Sequence, residues 1–216
     1  MRLDVFTLVP DAFLWIRERR PVAAVLDRGL ELNVFNYRDT TPLSAGQVDD
    51  EPYGGGPGMV LRVDVVAAAL DAVYGGGLDH RVVALSPQGR QLDQELVEEL
   101  AEEPALTLLS ARFEGFDQRI LDHLCTDVIS IGPYVLSGGE IPALAVVDAV
   151  ARRLPGALSE GSGEIESFSA ALDGGLEYPH YTRPAEFRGW AVPEILLSGD
   201  HGRIDAWRRD QVKAVT

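Results

Sequence analysis

Strand-like and helix-like stretches take turns along the first 154 residues of this chain, and that alternation limits the fold more than any other feature. Short β-branched or apolar runs at 3–9, 32–37, 81–85, 106–109 and 128–131 predict strands. Apolar residues at helical spacing predict helices at 11–19, 22–28, 63–74, 92–102, 118–124 and 141–154, with Pro21 separating the first two. Strands joined through helices pair in parallel, because each crossover returns the chain to the same end of the sheet. The expectation is therefore an α/β fold with a mostly parallel sheet. One further helix is expected at about 202–212, and no internal repeat is visible.

The handover from the strand at 128–131 to the helix at 141–154 reads S-I-G-P-Y-V-L-S-G-G-E over residues 130–140. In such sheets ligands dock outside the carboxyl ends of the strands, and glycine there permits close approach of backbone and ligand. The segment is neither a G-x-G-x-x-G dinucleotide fingerprint nor a G-x-x-x-x-G-K-[ST] phosphate loop. Tandem glycines before Glu140, with no lysine, suit a neutral ligand face better than a triphosphate. Two more glycine-bearing segments follow strands, Ser86-Pro87-Gln88-Gly89-Arg90 and Ser110-Ala111-Arg112-Phe113-Glu114-Gly115. Singly, each is turn chemistry. Meeting at one rim, they would offer main-chain donors and acceptors to an adenine and a sulfonium-bearing tail.

With 46% hydrophobic residues in 216, the chain can build one good core and a small appendage. No apolar run reaches the roughly 18–20 residues of a membrane span, so no membrane partner is expected. Met1-Arg2-Leu3-Asp4-Val5-Phe6 leads straight into a strand pattern with no signal-peptide features. The single cysteine, Cys125, excludes an internal disulfide, and the expected location is the cytoplasm. A net charge of −15 opposes nucleic acid as a sum, but distribution matters more. Acids cluster at 93–103, whereas arginines gather at 17–20, 152–153, 183–188 and 203–209. Solvated helix faces or local basic patches both account for these clusters.

A G-x-S-x-G hydrolase elbow is absent, and His80, His123, His180 and His201 lack metal-ligand spacing. No protein metal site is expected. Two long loops, 38–59 and 158–176, are candidates for function or disorder. The second is rich in Gly, Ser and Glu and also reads as a linker. It carries Glu164 and Glu166, between a helix containing Arg152 and the segment Y-P-H-Y-T-R-P. A carboxylate near an arginine suits proton abstraction, with the guanidinium stabilising charge on a neighbouring oxygen. A solvated acidic linker is the plainer account.

Taken together, these segments resemble the bacterial tRNA (guanine-N1)-methyltransferase family of the SPOUT superfamily. The motifs that carry the resemblance are M-R-L-D-V-F-T-L-V-P, V-D-D-E-P-Y-G-G-G-P-G-M at 48–59, L-S-P-Q-G-R at 85–90, R-F-E-G-F-D-Q-R at 112–119, S-I-G-P-Y-V-L-S-G-G-E, P-H-Y-T-R-P at 179–184 and V-P-E-I-L-L-S-G-D-H at 192–201. They occur in the family's order across nearly the whole chain. The resemblance implies a deep trefoil knot and a homodimer with shared active sites. It also implies three parts: a knotted α/β S-adenosylmethionine-binding domain over 1–157, a flexible linker over 158–176, and a small helical tRNA-binding domain over 177–216. The family usually continues with a basic helical tail, so this last domain is expected to be shortened.

By the same resemblance, S-adenosylmethionine rests against Leu85, Pro87, Gly89, Ala111, Glu114, Ile131, Tyr134, Leu136, Gly138 and Gly139. The reaction implied is methylation of N1 of guanosine 37, immediately 3′ of the tRNA anticodon. The general base falls on Glu166 and the catalytic arginine on Arg152, with Arg153 the near-register competitor. Tyr53, Gly55, Pro57, Gly58, Met59, His180 and Arg183 would hold the extruded base and its neighbours, and Ser198, His201 and Arg208 would grip tRNA. Magnesium dependence is implied by the family only. Four positions depart from the family pattern: Glu166 stands for an aspartate, Ala111 for a glycine, Phe113 for a tyrosine and Pro133 for an aspartate. A catalytically weak relative that binds S-adenosylmethionine or RNA, or a SPOUT methyltransferase with another RNA target, are the alternatives.

Overall fold

The computed structural model describes residues 1–159, 162–163 and 165–214. Glu164, one of the two loop carboxylates singled out above, lies outside the described residues. The chain divides into two compact units, Met1–Leu158 and Ser159–Thr216. The first contains β1 (Arg2–Thr7), α1 (Leu14–Arg17), α2 (Val22–Val25), β2 (Glu31–Asn36), β3 (Asp49–Asp50), β4 (Val60–Leu61), α3 (Val63–Tyr74), β5 (Arg81–Gln91), α4 (Gln94–Ala101), β6 (Ala105–Ser110), α5 (Gln118–His123), β7 (Asp127–Ser130) and α6 (Glu140–Arg153). The second contains β8 (Glu186–Phe187), β9 (Trp190–Ala191), α7 (Glu194–Leu197) and α8 (His201–Gln211).

Five strands form one sheet in the order β2-β1-β6-β5-β7. All four pairings are parallel, as the strand–helix alternation requires. Side chains alternate across the sheet with period two. Leu3, Val5, Val83, Leu85, Leu106 and Leu108 join one buried cluster, with Phe13, Val22, Leu96, Leu100 and the Ala143–Val150 stripe of α6. Phe6, Val82 and Leu109 join another, with Tyr37, Val65, Val66, Leu70 and Ile120. Helices α1, α2, α4 and α6 therefore cover one face, and α3 and α5 the other. A parallel sheet covered on both sides reads as continuous apolar runs, and β6 is buried from Leu106 to Ser110.

The acidic stretch around α4 is more than a solvated face. Asp93 caps the helix by accepting from the Leu96 amide at 2.8 Å. Glu98 pairs with Arg153 at 3.3 Å, and Glu99 with Arg90 at 3.4 Å and Arg81 at 3.5 Å.

In the second unit, among the described hydrophobic side chains, Ile204 alone is buried. The later part of the 158–176 segment, read from sequence as a flexible linker, carries its own backbone bonds. Phe168 N–H donates to Gly175 O at 2.8 Å, and Leu176 N–H to Lys213 O at 2.7 Å.

Candidate active site

The middle of β5 and the carboxyl ends of β6 and β7 close around a cavity of about 220 Å³. Leu85, Pro87, Ala111, Glu114, Ile131, Tyr134, Leu136, Gly138 and Gly139 all line it. Three segments that sequence could only enumerate therefore share one wall. The walls are drawn together by short backbone contacts. Gly139 N–H donates to Ala111 O at 2.7 Å, and Ser110 Oγ donates to Gly139 O at 3.1 Å. A Cβ at Gly139 would stand 2.7 Å from Ser110 Cα, so only glycine allows this closure. Ser130 and Gly132 exchange hydrogen bonds across the turn after β7, and Tyr134 Oη donates to Ile131 O at 3.1 Å.

Gly89 behaves differently. The segment 86–90 is not a strand-to-helix loop as the sequence suggests, because β5 continues through it. β7 pairs with Val83–Leu85, and again with Arg90 and Gln91, opposite Ile129 and Ser130. The residues between bulge outward and bring Pro87 and Gln88 to the cavity. Gly89 is absent from its lining and lies against the β7 backbone, where a Cβ would stand 2.5 Å from Ile129 N.

The loop carrying Tyr53, Gly55, Pro57, Gly58 and Met59 is stitched to the cavity's middle wall. Glu114 N–H donates to Met59 O at 2.9 Å, Leu61 N–H to Gly115 O at 3.0 Å and Asp117 N–H to Leu61 O at 3.0 Å. Gly58 has φ +85°, and a Cβ there would overlap the Glu114 carboxylate. Tyr53 is fully exposed, and Gly55 has open space around it. Phe113, at the cavity wall, adopts φ 61°, a conformation uncommon for a bulky residue and found most often at functional sites.

Arg152 and Arg153 end α6 on different sides. Arg153 reaches Glu98 on α4. Arg152 shares a helix face with Asp148, whose carboxyl is raised by partial burial and lowered in part by the Arg152 charge. In the second unit Glu166 is partly buried, and its carbonyl accepts from Ser169 N–H at 3.0 Å. His180 pairs with Glu177 at 2.9 Å, and the Arg208 guanidinium lies 5.1 Å from the Tyr178 ring centre. His180, His201 and Arg208 line one cavity with Tyr181 and Trp207. Arg183 is exposed. Ser198 is engaged locally: its hydroxyl donates to Ile195 O at 2.7 Å and accepts from Asp200 N–H at 3.2 Å.

Sequence reading missed a buried group at the rim. Glu140 accepts from Thr7 Oγ1 at 2.9 Å and from Arg112 Nη1 at 3.2 Å. Its one signal was the position of an acid directly after tandem glycines, in the first turn of a helix, where negative charge is favoured.

Comparison with known proteins agrees with this architecture. The family model described as tRNA (Guanine-1)-methyltransferase TrmD matches residues 1–216. A Brevibacillus brevis protein named tRNA (guanine-N(1)-)-methyltransferase is 47% identical, covering 96% of this chain and 85% of its own. Proteins of the same name from Exiguobacterium sibiricum and Stutzerimonas stutzeri are 46% and 48% identical, each over 98% of this chain and over 86% and 84% of their own. With a match along its full length and relatives this similar, the chain belongs to the bacterial tRNA (guanine-N1)-methyltransferase family of enzymes.

Proposed function

We propose that this chain methylates N1 of guanosine 37 in tRNA, 3′ of the anticodon and preceded by another guanosine, using S-adenosylmethionine. The observation that carries the reading is the meeting of three glycine-bearing segments in one cavity. The cavity fits the cofactor in kind: apolar side chains and main-chain groups dominate its wall, and Cβ-free positions bring the backbone close. Leu85, Pro87, Ala111, Glu114, Ile131, Tyr134, Leu136, Gly138 and Gly139 would hold the cofactor, while Gly89 would shape the bulge that carries Pro87. When bound there, S-adenosylmethionine supplies an electrophilic methyl group on a sulfonium.

Guanine N1 is a poor nucleophile until its proton leaves. Glu166 accepts that proton, and Arg152 steadies the negative charge building on O6. Arg152 takes this role by the register of the family resemblance, and Arg153, which pairs with Glu98 at 3.3 Å, is the near-register competitor. Enzymes that act on a base extrude it first, and the loop bearing Tyr53, Gly55, Pro57, Gly58 and Met59 borders the cavity through Glu114. His180 and Arg183 assist with the flipped base and its neighbours, and Ser198, His201 and Arg208 with the tRNA backbone. The described residues hold no group of three or more His, Cys, Asp or Glu side chains suited to a metal.

A trefoil knot is supported by the chain's route. It leaves edge strand β7, passes the bulged end of β5 to bond Ala111 beyond β6, and only then enters α6. A homodimer is supported by Leu14 and Trp15, each 61% exposed on α1. The proposed 1–157, 158–176 and 177–216 division and a cytoplasmic site of action complete the reading.

The test is to mix the protein with labelled S-adenosylmethionine and two unmodified tRNA transcripts, one with guanosine at 36 and 37 and one with adenosine at 37. N1-methylguanosine mapped to position 37 in the first alone is expected. Cofactor binding without transfer would sink the reading.

A further inference from the structure

Glu140 opens α6 with its side chain only 7% exposed. Its two oxygens take different partners, Thr7 Oγ1 on one and Arg112 Nη1 on the other. Arg112 is 37% exposed and is the one cationic side chain lining the cavity among the described residues. It makes no other side-chain hydrogen bond among the described residues. The neighbouring glycine is explained by this pair: a Cβ at Gly138 would overlap Glu140 Oε2 and lie 3.1 Å from Arg112 Nη1. Part of the S-G-G-E motif thus exists to admit an ion pair.

A buried carboxylate is costly unless it is paired and hydrogen-bonded, and Glu140 meets that need with Thr7 and with a guanidinium that is itself partly exposed. Here the pair holds a planar guanidinium at the cavity wall. With Nη1 committed to Glu140, Nε and Nη2 remain as donors, and a guanidinium matches a carboxylate in shape. The ligand proposed for this cavity ends in an amino acid whose carboxylate is its only anionic group. Glu114, the one carboxylate lining the cavity among the described residues, would repel that end and attract the cationic part.

We propose that Arg112, fixed by Glu140, forms a carboxylate subsite that receives the amino-acid end of S-adenosylmethionine, with Glu140 as a positioning residue acting through Arg112. This rests on the assignment of the cavity to S-adenosylmethionine. The probes are S-adenosylhomocysteine, which carries the amino-acid tail, and 5′-methylthioadenosine, which lacks it. Their affinities are measured by calorimetry on the full chain, its Arg112→Gln and Glu140→Gln variants and the double variant.

Arg112→Gln should weaken S-adenosylhomocysteine about 10- to 100-fold, the scale of one charge-assisted hydrogen bond. It should leave methylthioadenosine within about twofold. Glu140→Gln should give the same tail-dependent loss, smaller in size. The double variant should bind no worse than Arg112→Gln. Equal loss for both probes in Arg112→Gln would mean the pair only shapes the wall and would overturn the proposal, as would no loss at all. If Glu140→Gln does not fold, the Arg112→Gln and double variants decide. If the unaltered protein binds neither probe, the assignment of the cavity fails and this proposal falls with it. If it binds both equally, only the subsite falls.

Discussion

Replacing Gly89 by alanine tests whether this glycine serves a ligand or the sheet. In β5, Leu85 and Arg90 both pair with Ile129, and the residues between them loop out. At the return point a methyl group on residue 89 would stand 2.5 Å from Ile129 N, and it would also overlap the Val128 carbonyl. Ordinary contacts between such atoms lie near 3.5 Å, so β5 and β7 must part by about 1 Å. Both partners are backbone, so no rotamer change can relieve the overlap. Overpacking of this kind costs about 1–3 kcal/mol. At about 2–4 °C per kcal/mol for a chain of this size, that is a fall of about 4–12 °C for the upper half of that range.

Gly29→Ala is the matched control. It has nothing within 4 Å of its would-be Cβ and lies outside the left-handed region. Loss of unfolded-state entropy should leave that variant neutral or stabilised by up to about 1 kcal/mol. Thermal unfolding of both variants by circular dichroism is the assay, with S-adenosylhomocysteine affinity measured well below both midpoints. A Gly89→Ala midpoint within 1 °C of the unaltered protein would refute the reasoning. Weaker ligand binding at that unchanged midpoint would return Gly89 to the ligand.

Three further outcomes are expected. Glu166→Gln should abolish transfer to tRNA in a single-turnover assay while S-adenosylhomocysteine still binds; surviving transfer would remove Glu166 as base. Arg152→Ala should cost about 100-fold or more in transfer rate, whereas Arg153→Ala should cost less than about threefold, since its guanidinium is occupied at Glu98; the reverse order would exchange their roles. The Arg81 guanidinium, donating at 2.8 and 2.9 Å, holds the Asp127 carboxyl below its ordinary value near 3.8. A carboxyl lowered by folding stabilises the fold above its unfolded pKa, and that contribution disappears as pH falls through the folded value. Asp127→Asn should therefore lower urea midpoints at pH 7 and flatten their fall below pH 4. Parallel curves for the two proteins would contradict the assignment.

Much of the first unit was legible in sequence because its elements obey local periodicity. Helix α3 has the bounds that apolar spacing alone predicts, and all five strands of the sheet lie at expected runs. Strand order was not legible, since the insertion of β6 between β1 and β5 depends on contacts remote in sequence. Two-residue strands such as β3 and β8 are too short to show a period. The second unit offers little apolar patterning to read, in keeping with its small buried core.

The candidate site divides along the same line. Its parts were visible as glycine-bearing segments, but a glycine in sequence does not say what comes close to it. From residue types alone, every rim glycine reads as room for a ligand. In the fold, Gly89 makes room for strand β7, Gly138 for the Glu140–Arg112 pair and Gly139 for the end of β6. The shape offered to a ligand is thus set by how tightly the chain packs on itself. This accounts for the pairing of Arg112 and Glu140 having gone unread: they lie 28 residues apart, and Glu140 is also held by Thr7, 133 residues away in the chain, contacts that no local pattern carries. A substitution at any of these three glycines should therefore register in the packing of the protein, and at Gly89, which is absent from the cavity lining, only through that packing in ligand affinity.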